Sequence, residues 1–451
     1  MTNHILRRAV GSLLAASLMS VAFTASAADL VGIYRDAMAQ DPVFSAARFA
    51  FDAAKEASPQ ARALMLPAVG LGASATRVSS EVEFLGNTTS RDYTSKAYTL
   101  SLSQPLFRMQ TWLAVDQADL QVKQAAAIFA DAQQSLITRT AQAYFDVLLA
   151  QDNVNLSEAQ KKAFEQQLAQ AKRNFEVGTS TIVDTYEAQA KYDLAVSKEI
   201  ADKADLEIKK NNLQQLIGKQ PPSLATLRDK VALPLPSPAD SEQWVKAAED
   251  ASPAIAQSRA AFDIARKEVD RTKAGHYPTL DLVGSYGHNS APSTFGTLSG
   301  PSSGTSISRT SQLGLTLNIP LFSGGGTQSR IRQSLAARAQ SEQLFENSKR
   351  TVAQTVRSSF LNVTSGVAQV KALEASLISS QASLDSTLLG KDVGVRTNVD
   401  VLNSQQQQLF QTRRDLQAAR YNTIIAQLRL KSAAGRLAEE DVAEINRLLQ
   451  N

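Results

Sequence analysis

Between Pro67 and Ser79, apolar and small polar residues alternate. Val69, Leu71, Ala73 and Ala75 fall on one side, Gly70, Gly72, Ser74 and Thr76 on the other. The same period of two runs through Tyr98, Leu100 and Leu102 against Thr99, Ser101 and Ser103. It returns late in the chain, with Leu280, Leu282 and Tyr286 in one run and Leu313, Leu315, Leu317 and Ile319 against Gly314, Thr316 and Asn318 in another. These are four strand candidates of about ten residues each. The remaining pattern is helical and long. Residues 111–177 contain neither proline nor glycine, and residues 327–389 contain only Gly366. If continuous, each stretch spans on the order of 100 Å, and residues 181–217 and 398–434 add roughly 55 Å each. Val356, Val363, Val370, Leu377 and Leu384 recur at strict seven-residue spacing, which predicts a coiled-coil seam. A shorter helix precedes each strand pair, over about 30–64 and 243–274.

The order helix, strand pair, long helix, turn, long helix occurs twice because the chain is an internal duplication. Pro42, Phe51-Asp52, Ala54 and Pro67 recur 211 positions later as Pro253, Phe262-Asp263, Ala265 and Pro278. Pro105-Leu106-Phe107 and Phe145 recur 215 later as Pro320-Leu321-Phe322 and Phe360. Val183-Asp184 and Gln189 recur 216 later as Val399-Asp400 and Gln405. A proline-rich linker, Pro221-Pro222 through Pro238, separates the copies. The expected organisation is a leader over 1–27, a first repeat over 28–240 with strands in 67–107, and a second over 241–451 with strands in 278–322.

The strands decide what the helices are for. Their second face is Gly, Ser, Thr and Asn, which suits a water-filled lumen better than a charged protein surface. The segments between strands, 80–92 and 288–308, are rich in Ser, Thr, Gly and Pro and are expected to be exposed loops. A soluble sheet with one buried face is the competing reading. Four strands cannot close a barrel, and open edges in lipid leave backbone groups without partners. Strands that span a membrane must therefore be pooled from several chains. Three chains would give twelve strands, although closure by itself does not fix the number. Alone, the helices would make a rod or filament; joined to a pooled barrel, they become the walls of a tube.

The turns between long helices are Val177-Gly178-Thr179 and Val393-Gly394-Val395. Glycine permits the positive φ that ends a helix. Asp184 and Asp400 follow each turn, where a carboxylate is favoured by the helix dipole. That role is sufficient to explain them. In a symmetric tube they would also form rings around the axis.

Composition narrows the class. The 451 residues include no cysteine, which removes disulfides, thiolate metal sites, a cysteine nucleophile and an N-terminal lipid anchor. Arg7 and Arg8 precede an apolar run from Ala9 to Phe23, and Ala25-Ser26-Ala27 gives the small-x-small pattern of a signal-peptide cleavage site. The protein is expected to be exported, with the mature chain starting at Ala28. No later apolar run reaches about 18 residues. A formal charge of +4 from 47 basic and 43 acidic residues gives no footprint for nucleic acid. Gly300-Pro301-Ser302-Ser303-Gly304 fits a nucleophile-elbow pattern but lies in a Ser/Gly-rich loop. His276 and His288 are poorly spaced for a metal. Gly218-Lys219 and Gly390-Lys391 lack the rest of a phosphate loop. No catalytic constellation and no cofactor motif emerges.

Several segments together resemble the TolC family of outer-membrane channel-tunnel proteins. They are Gln104-Pro105-Leu106-Phe107, Pro320-Leu321-Phe322-Ser323-Gly324-Gly325, Ala143-Tyr144-Phe145-Asp146-Val147-Leu148 and the run from Val393 through Leu402. Ala419-Arg420-Tyr421-Asn422 and Lys431-Ser432-Ala433-Ala434-Gly435 match as well. The resemblance covers essentially the whole mature chain. It implies an α+β membrane protein and a homotrimer, with a twelve-stranded β-barrel in outer-membrane lipid and a twelve-helix coiled-coil tunnel across the periplasm. The tunnel would be closed at its inner end by the helix-turn-helix tips. A periplasmic adaptor and an inner-membrane ABC or proton-driven transporter would open it for efflux or type I secretion, the adaptor docking on the tips at Val177, Gly178, Thr179, Val393, Gly394 and Val395. Arg396 matches the family's tip arginine, Asp184 its carboxylate partner and Asp400 its first ring aspartate. Asn403 stands where a second ring aspartate is expected. Lys391 replaces a tyrosine and Val183 a threonine, so the tip network is only partly present, and Lys391 is an alternative partner for Asp184. The alternatives to a duct are a periplasmic coiled-coil adaptor or scaffold with a soluble sheet, and an outer-membrane enzyme.

Overall fold

A computed structural model describes residues 28–84, 86–228, 231–297, 300–392 and 399–450. The described residues begin with three helices, α1 (Leu30–Gln40), α2 (Pro42–Lys55) and α3 (Ala57–Ala63). Strands β1 (Ala68–Phe84) and β2 (Asn87–Phe107) follow, then α4 (Met109–Glu176) and α5 (Ile182–Ile217). The second copy comprises α6 (Ser241–Ala251), α7 (Pro253–Lys273), a 3-10 turn (Ala274–His276), β3 (Thr279–Thr297), β4 (Gly300–Asn318), α8 (Gly326–Asp392) and α9 (Val399–Ala433). A last helix, α10, spans Glu439–Asn446.

The expected long helices are present, α4 with 68 residues and α8 with 67. The single short helix expected before each strand pair is instead broken. Asp41 and Ser252 are extended at the breaks, each followed by a proline at the first helical position. A residue before proline is pushed out of the α region, and the proline then starts the next helix without losing a hydrogen bond. The expected loops 80–92 and 288–308 are also corrected. β1 pairs with β2 in register out to Phe84↔Asn87, and β3 with β4 out to Thr297↔Gly300. Continuing the ladder satisfies backbone donors and acceptors that a loop would leave to water. Gly300–Gly304, with its elbow-like pattern, accordingly lies in β4.

The chain forms two compact units. One contains residues up to Ala37, Ala143–Ala232 and the C-terminus from Glu440. Here Ala28 and Leu224 form a parallel bridge and Leu227 and Leu449 an antiparallel one. Tyr144 is fully buried beneath them, and its hydroxyl donates to the carbonyls of Ala225 (2.7 Å) and Ala28 (3.2 Å). Leu30, Ile33, Phe145, Leu213 and Ile217 complete this core. The second unit, Met38–Gln142 with Leu233–Glu439, holds the sheet and the hairpin of α8 and α9. Its seam is the expected one. Val356 and Val363 pack with Trp244, Val245 and Leu430, Val370 with Leu416 and Ala419, and Leu384 with Leu409.

Candidate channel wall and aperture

The four strands form one antiparallel sheet in the order β1-β2-β3-β4, leaving β1 and β4 as open edges. Cross-strand partners share a face, so the register assigns every side chain. One face reads Val69-Leu102-Gly284-Leu313 across the strands, then Leu71-Leu100-Tyr286-Ser311, then Ala73-Tyr98-His288-Arg309. The other reads Gly70-Ser101-Ser285-Gln312 and Gly72-Thr99-Gly287-Thr310. The apolar face has no protein against it: Leu71 and Leu313 are each 74% exposed. An exposed apolar sheet face opposite an uncharged polar one is the alternation of a lipid-facing strand with a wet interior.

Aromatic residues mark both limits of this band. Tyr98 stacks on His288 at 4.7 Å at the end nearer the hairpin tips. At the end nearer the helices, Phe107 meets Trp112 edge-on at 6.0 Å, with Tyr277 and Phe322 exposed beside the strand ends. Amphipathic rings are favoured at the two membrane–water boundaries. The strand-to-helix junction is pinned by Arg108, whose Nε and Nη2 each donate to a different oxygen of Asp281 at 2.7 Å. This fork crosses from the first repeat to the second, beside the register shift at Pro105/Phe107. Among the described residues, no helix is long and apolar enough to cross a membrane.

At the α4–α5 turn, Gly178 has φ +78° and Val177 is exposed. The Thr179 amide donates to the Asn174 carbonyl at 2.8 Å, and its hydroxyl donates to the same oxygen at 3.0 Å. Asp184 closes a capping box on α5. Its Oδ2 accepts from the Thr181 amide (2.8 Å) and hydroxyl (3.0 Å), while Thr181 Oγ1 accepts from the Asp184 amide (3.3 Å). Oδ1 accepts none of these bonds. In the second hairpin, Lys391 lies in the last turn of α8 and Asp400 in the first turn of α9. Val393, Gly394, Val395 and Arg396 lie outside the described residues. Asn403, three residues beyond Asp400, is only 7% exposed, and among the described residues its Oδ1 has no hydrogen-bond partner.

One group was not anticipated from the sequence. On α4, Val154, Ser157, Lys161, Phe164 and Leu168 follow seam spacing, as do Ala195, Glu199, Asp202, Leu206 and Leu213 on α5. Charged residues therefore occupy seam positions. Lys161 pairs with Glu199 at 2.6 Å, Lys203 bridges Glu199 (2.7 Å) and Glu158 (2.9 Å), and Lys198 pairs with Asp202 at 2.7 Å. Hydrogen bonds from Lys161 and then Lys203 hold the Glu199 carboxyl below its ordinary value, and the bond to Glu199 raises Lys161 in return. The signal was available: Glu199 and Asp202 stand where a four-three rhythm through Ala195, Leu206 and Leu213 calls for apolar residues.

The fold and the two faces of its sheet define an outer-membrane channel protein rather than an enzyme. Comparison with known proteins agrees. The profile of the family described as Outer membrane efflux protein matches residues 33–219 and again 244–436. The chain is 32% identical over 433 residues to Outer membrane protein TolC of Vibrio cholerae, covering 96% of each. It is 31% identical over 446 residues to the alkaline protease secretion protein AprF of Pseudomonas aeruginosa, covering 97% of this chain and 90% of that one. The solved CmeC outer membrane channel of Campylobacter jejuni superposes with a TM-score of 0.76 at 16% identity, over 93% and 90% of the two chains. The protein belongs to the outer membrane efflux protein family.

Proposed function

We propose that this protein is the outer-membrane exit duct of a tripartite efflux pump or type I secretion system. Three copies pool twelve strands into one barrel, and a periplasmic adaptor with an inner-membrane ABC or proton-driven transporter opens the helical end. The observation that carries this reading is the four-stranded sheet with two open edges, one face apolar and exposed, the other polar and uncharged. A soluble periplasmic scaffold would leave that apolar face in water, at about 25 cal/mol for each Å². The relatives point the same way: one is named for alkaline protease secretion, and the family for efflux.

Residues 1–27 serve as the export signal, and 28–240 and 241–451 as the two repeats. The aperture is assigned to hairpin ends, with Asp184 on the first hairpin and Lys391, Arg396 and Asp400 on the second. Buried Asn403 supports Asp400 as the principal ring. The turns 177–179 and 393–395 are the adaptor-docking tips. The test is extraction of membranes with detergent, followed by mass measurement and bilayer conductance. Conducting particles of three chains are expected; a soluble monomer would overturn the duct.

A further inference from the structure

The outward face of the sheet changes character at one row. From Leu280 and Phe107 up to the line Ala73-Tyr98-His288, it carries no charged side chain. Arg309 sits at the end of that line on β4, Lys96 one row farther out on β2 opposite Ala75, and Arg77 one row beyond on β1 opposite Thr94. All three are exposed. Among the described residues, Lys96 and Arg309 form no ion pair. Arg77 reaches only Asp92, at 3.8 Å with both side chains open to water. From strand spacing and rise, the Cα atoms of Arg77 and Lys96 lie about 8 Å apart, and those of Lys96 and Arg309 about 12 Å. The Cα atoms of Arg77 and Arg309 lie about 20 Å apart, so the three side chains line one headgroup that carries more than one phosphate rather than meeting at a single phosphate. The inward face of the same rows is Thr99, Gly287, Thr310, Ala97, Asn289 and Ser308, so the positive charge belongs to the outer wall alone.

We propose that Arg77, Lys96 and Arg309 bind the phosphates of a multiply phosphorylated lipid headgroup in the leaflet at the hairpin-tip end of the strands. The argument rests on the duct reading, because only strands set in lipid bring a headgroup to this height. The row of Tyr98 and His288 marks the boundary, since stacked polar-tipped rings sit at headgroup level. Guanidinium matches phosphate bidentately and ammonium meets it as a point charge. α3, α4, the 3-10 turn and α8 adjoin the strands at their opposite ends, which leaves this basic step on the outer leaflet when those helices lie in the periplasm. Glu81, Glu83 and Asp92 lie farther out on the same face, beyond the step and among the hairpin tips.

The test uses the full-length detergent-solubilised protein with three probes: lipid A as a phosphorylated glycolipid, phosphatidylcholine and inorganic phosphate. Native mass spectrometry counts lipid retained by the wild type, by Lys96→Gln/Arg309→Gln and by the charge-preserving Lys96→Arg/Arg309→Lys. The expected result is lipid A held by the wild type and the charge-preserving variant and weakened about tenfold or more in the neutral variant, with phosphatidylcholine not held. Equal retention by the neutral variant, or complete displacement by inorganic phosphate, would overturn the lipid site. Bilayer conductance separates the two readings. Neutral variants that conduct like the wild type leave the duct standing whatever the lipid result, whereas a wild type that never conducts brings down the duct itself.

Discussion

Gly366 is the one glycine between residues 327 and 389 of α8 and gives a direct measure of how closely α8 and α9 approach. Glycine in a helix interior is disfavoured by about 1 kcal/mol relative to alanine, so something must keep it there. A Cβ at this position would lie 2.6 Å from Thr423 Oγ1 and 3.4 Å from Thr423 Cβ and Cγ2. Thr423 cannot simply turn away: it is 2% exposed, and its hydroxyl donates to the Ala419 carbonyl at 2.7 Å. Overpacking of this kind costs about 1–3 kcal/mol, which the gain in helix propensity only partly offsets. Gly366→Ala should therefore destabilise the hairpin, and Gly366→Ala/Thr423→Ala should recover the loss. The measurement is guanidinium unfolding of the detergent-solubilised protein, followed by far-UV circular dichroism, for the wild type, both single variants and the double. A coupling of about 1–3 kcal/mol in favour of the double variant is expected. Additivity within about 0.5 kcal/mol would refute the close approach.

Tyr144→Phe removes the hydroxyl that ties Ala225 and Ala28 together; it should cost about 1–2 kcal/mol in urea unfolding, and an unchanged midpoint would contradict the hydrogen bond at 2.7 Å. Glu199 has its folded pKa lowered, so its stabilisation is complete above the ordinary glutamate value of about 4.3 and is lost as pH falls through the folded value. Lys161 and Lys203 are raised, so theirs is complete below about 10.4 and lost at higher pH. Glu199→Gln should flatten the thermal midpoint against pH on the acid side, and an identical acid limb would rule out the pairing as its source. Asp400→Ala should weaken block of the channel by multivalent cations, because neighbouring carboxylates attract them; block equal to the wild type would remove Asp400 from the aperture. Gly435 has φ +69°, and a Cβ there would strike the Ala251 carbonyl, so Gly435→Ala should sharply lower the yield of folded protein; normal yield would show that the α9 terminus can shift.

What was legible in the sequence followed from periodicity. A two-residue alternation specifies a strand face, and the register then confirms that Val69, Leu71, Leu100 and Leu313 share it. Seven-residue spacing likewise located Val356 through Leu384 in the seam. Periodicity says nothing where the ladder continues without apolar residues, which is why the Ser/Thr-rich hairpin ends read as loops. Pro42 and Pro253 mark the duplication, and each also pushes the residue before it, Asp41 or Ser252, out of the helical region. In the first hairpin turn, Asp184 was legible as a carboxylate at a helix start, and the capping box with Thr181 bears that out. The burial of Asn403 was not legible, because polarity alone suggests exposure.

Duplication copied the path of the chain and not the chemistry of its seams. Val356, Val363 and Val370 join α8 to α9 through apolar contact, which does not respond to protonation. The corresponding seam of α4 and α5 places Lys161 against Glu199 within an apolar rhythm. A buried ion pair contributes little net stability, because desolvation offsets most of the attraction, yet removing one partner leaves a charge without compensation. Its value lies in register: a one-turn slip of α5 that set Ala195 opposite Lys161 would leave Glu199 without that lysine. The first hairpin is thus fixed in register by charge and exposed to acid. The second is held mainly by packing, with one cross-helix ion pair, Arg420 to Glu374 at 2.7 Å, and with Gly366 against Thr423 as a contact that a slip would break.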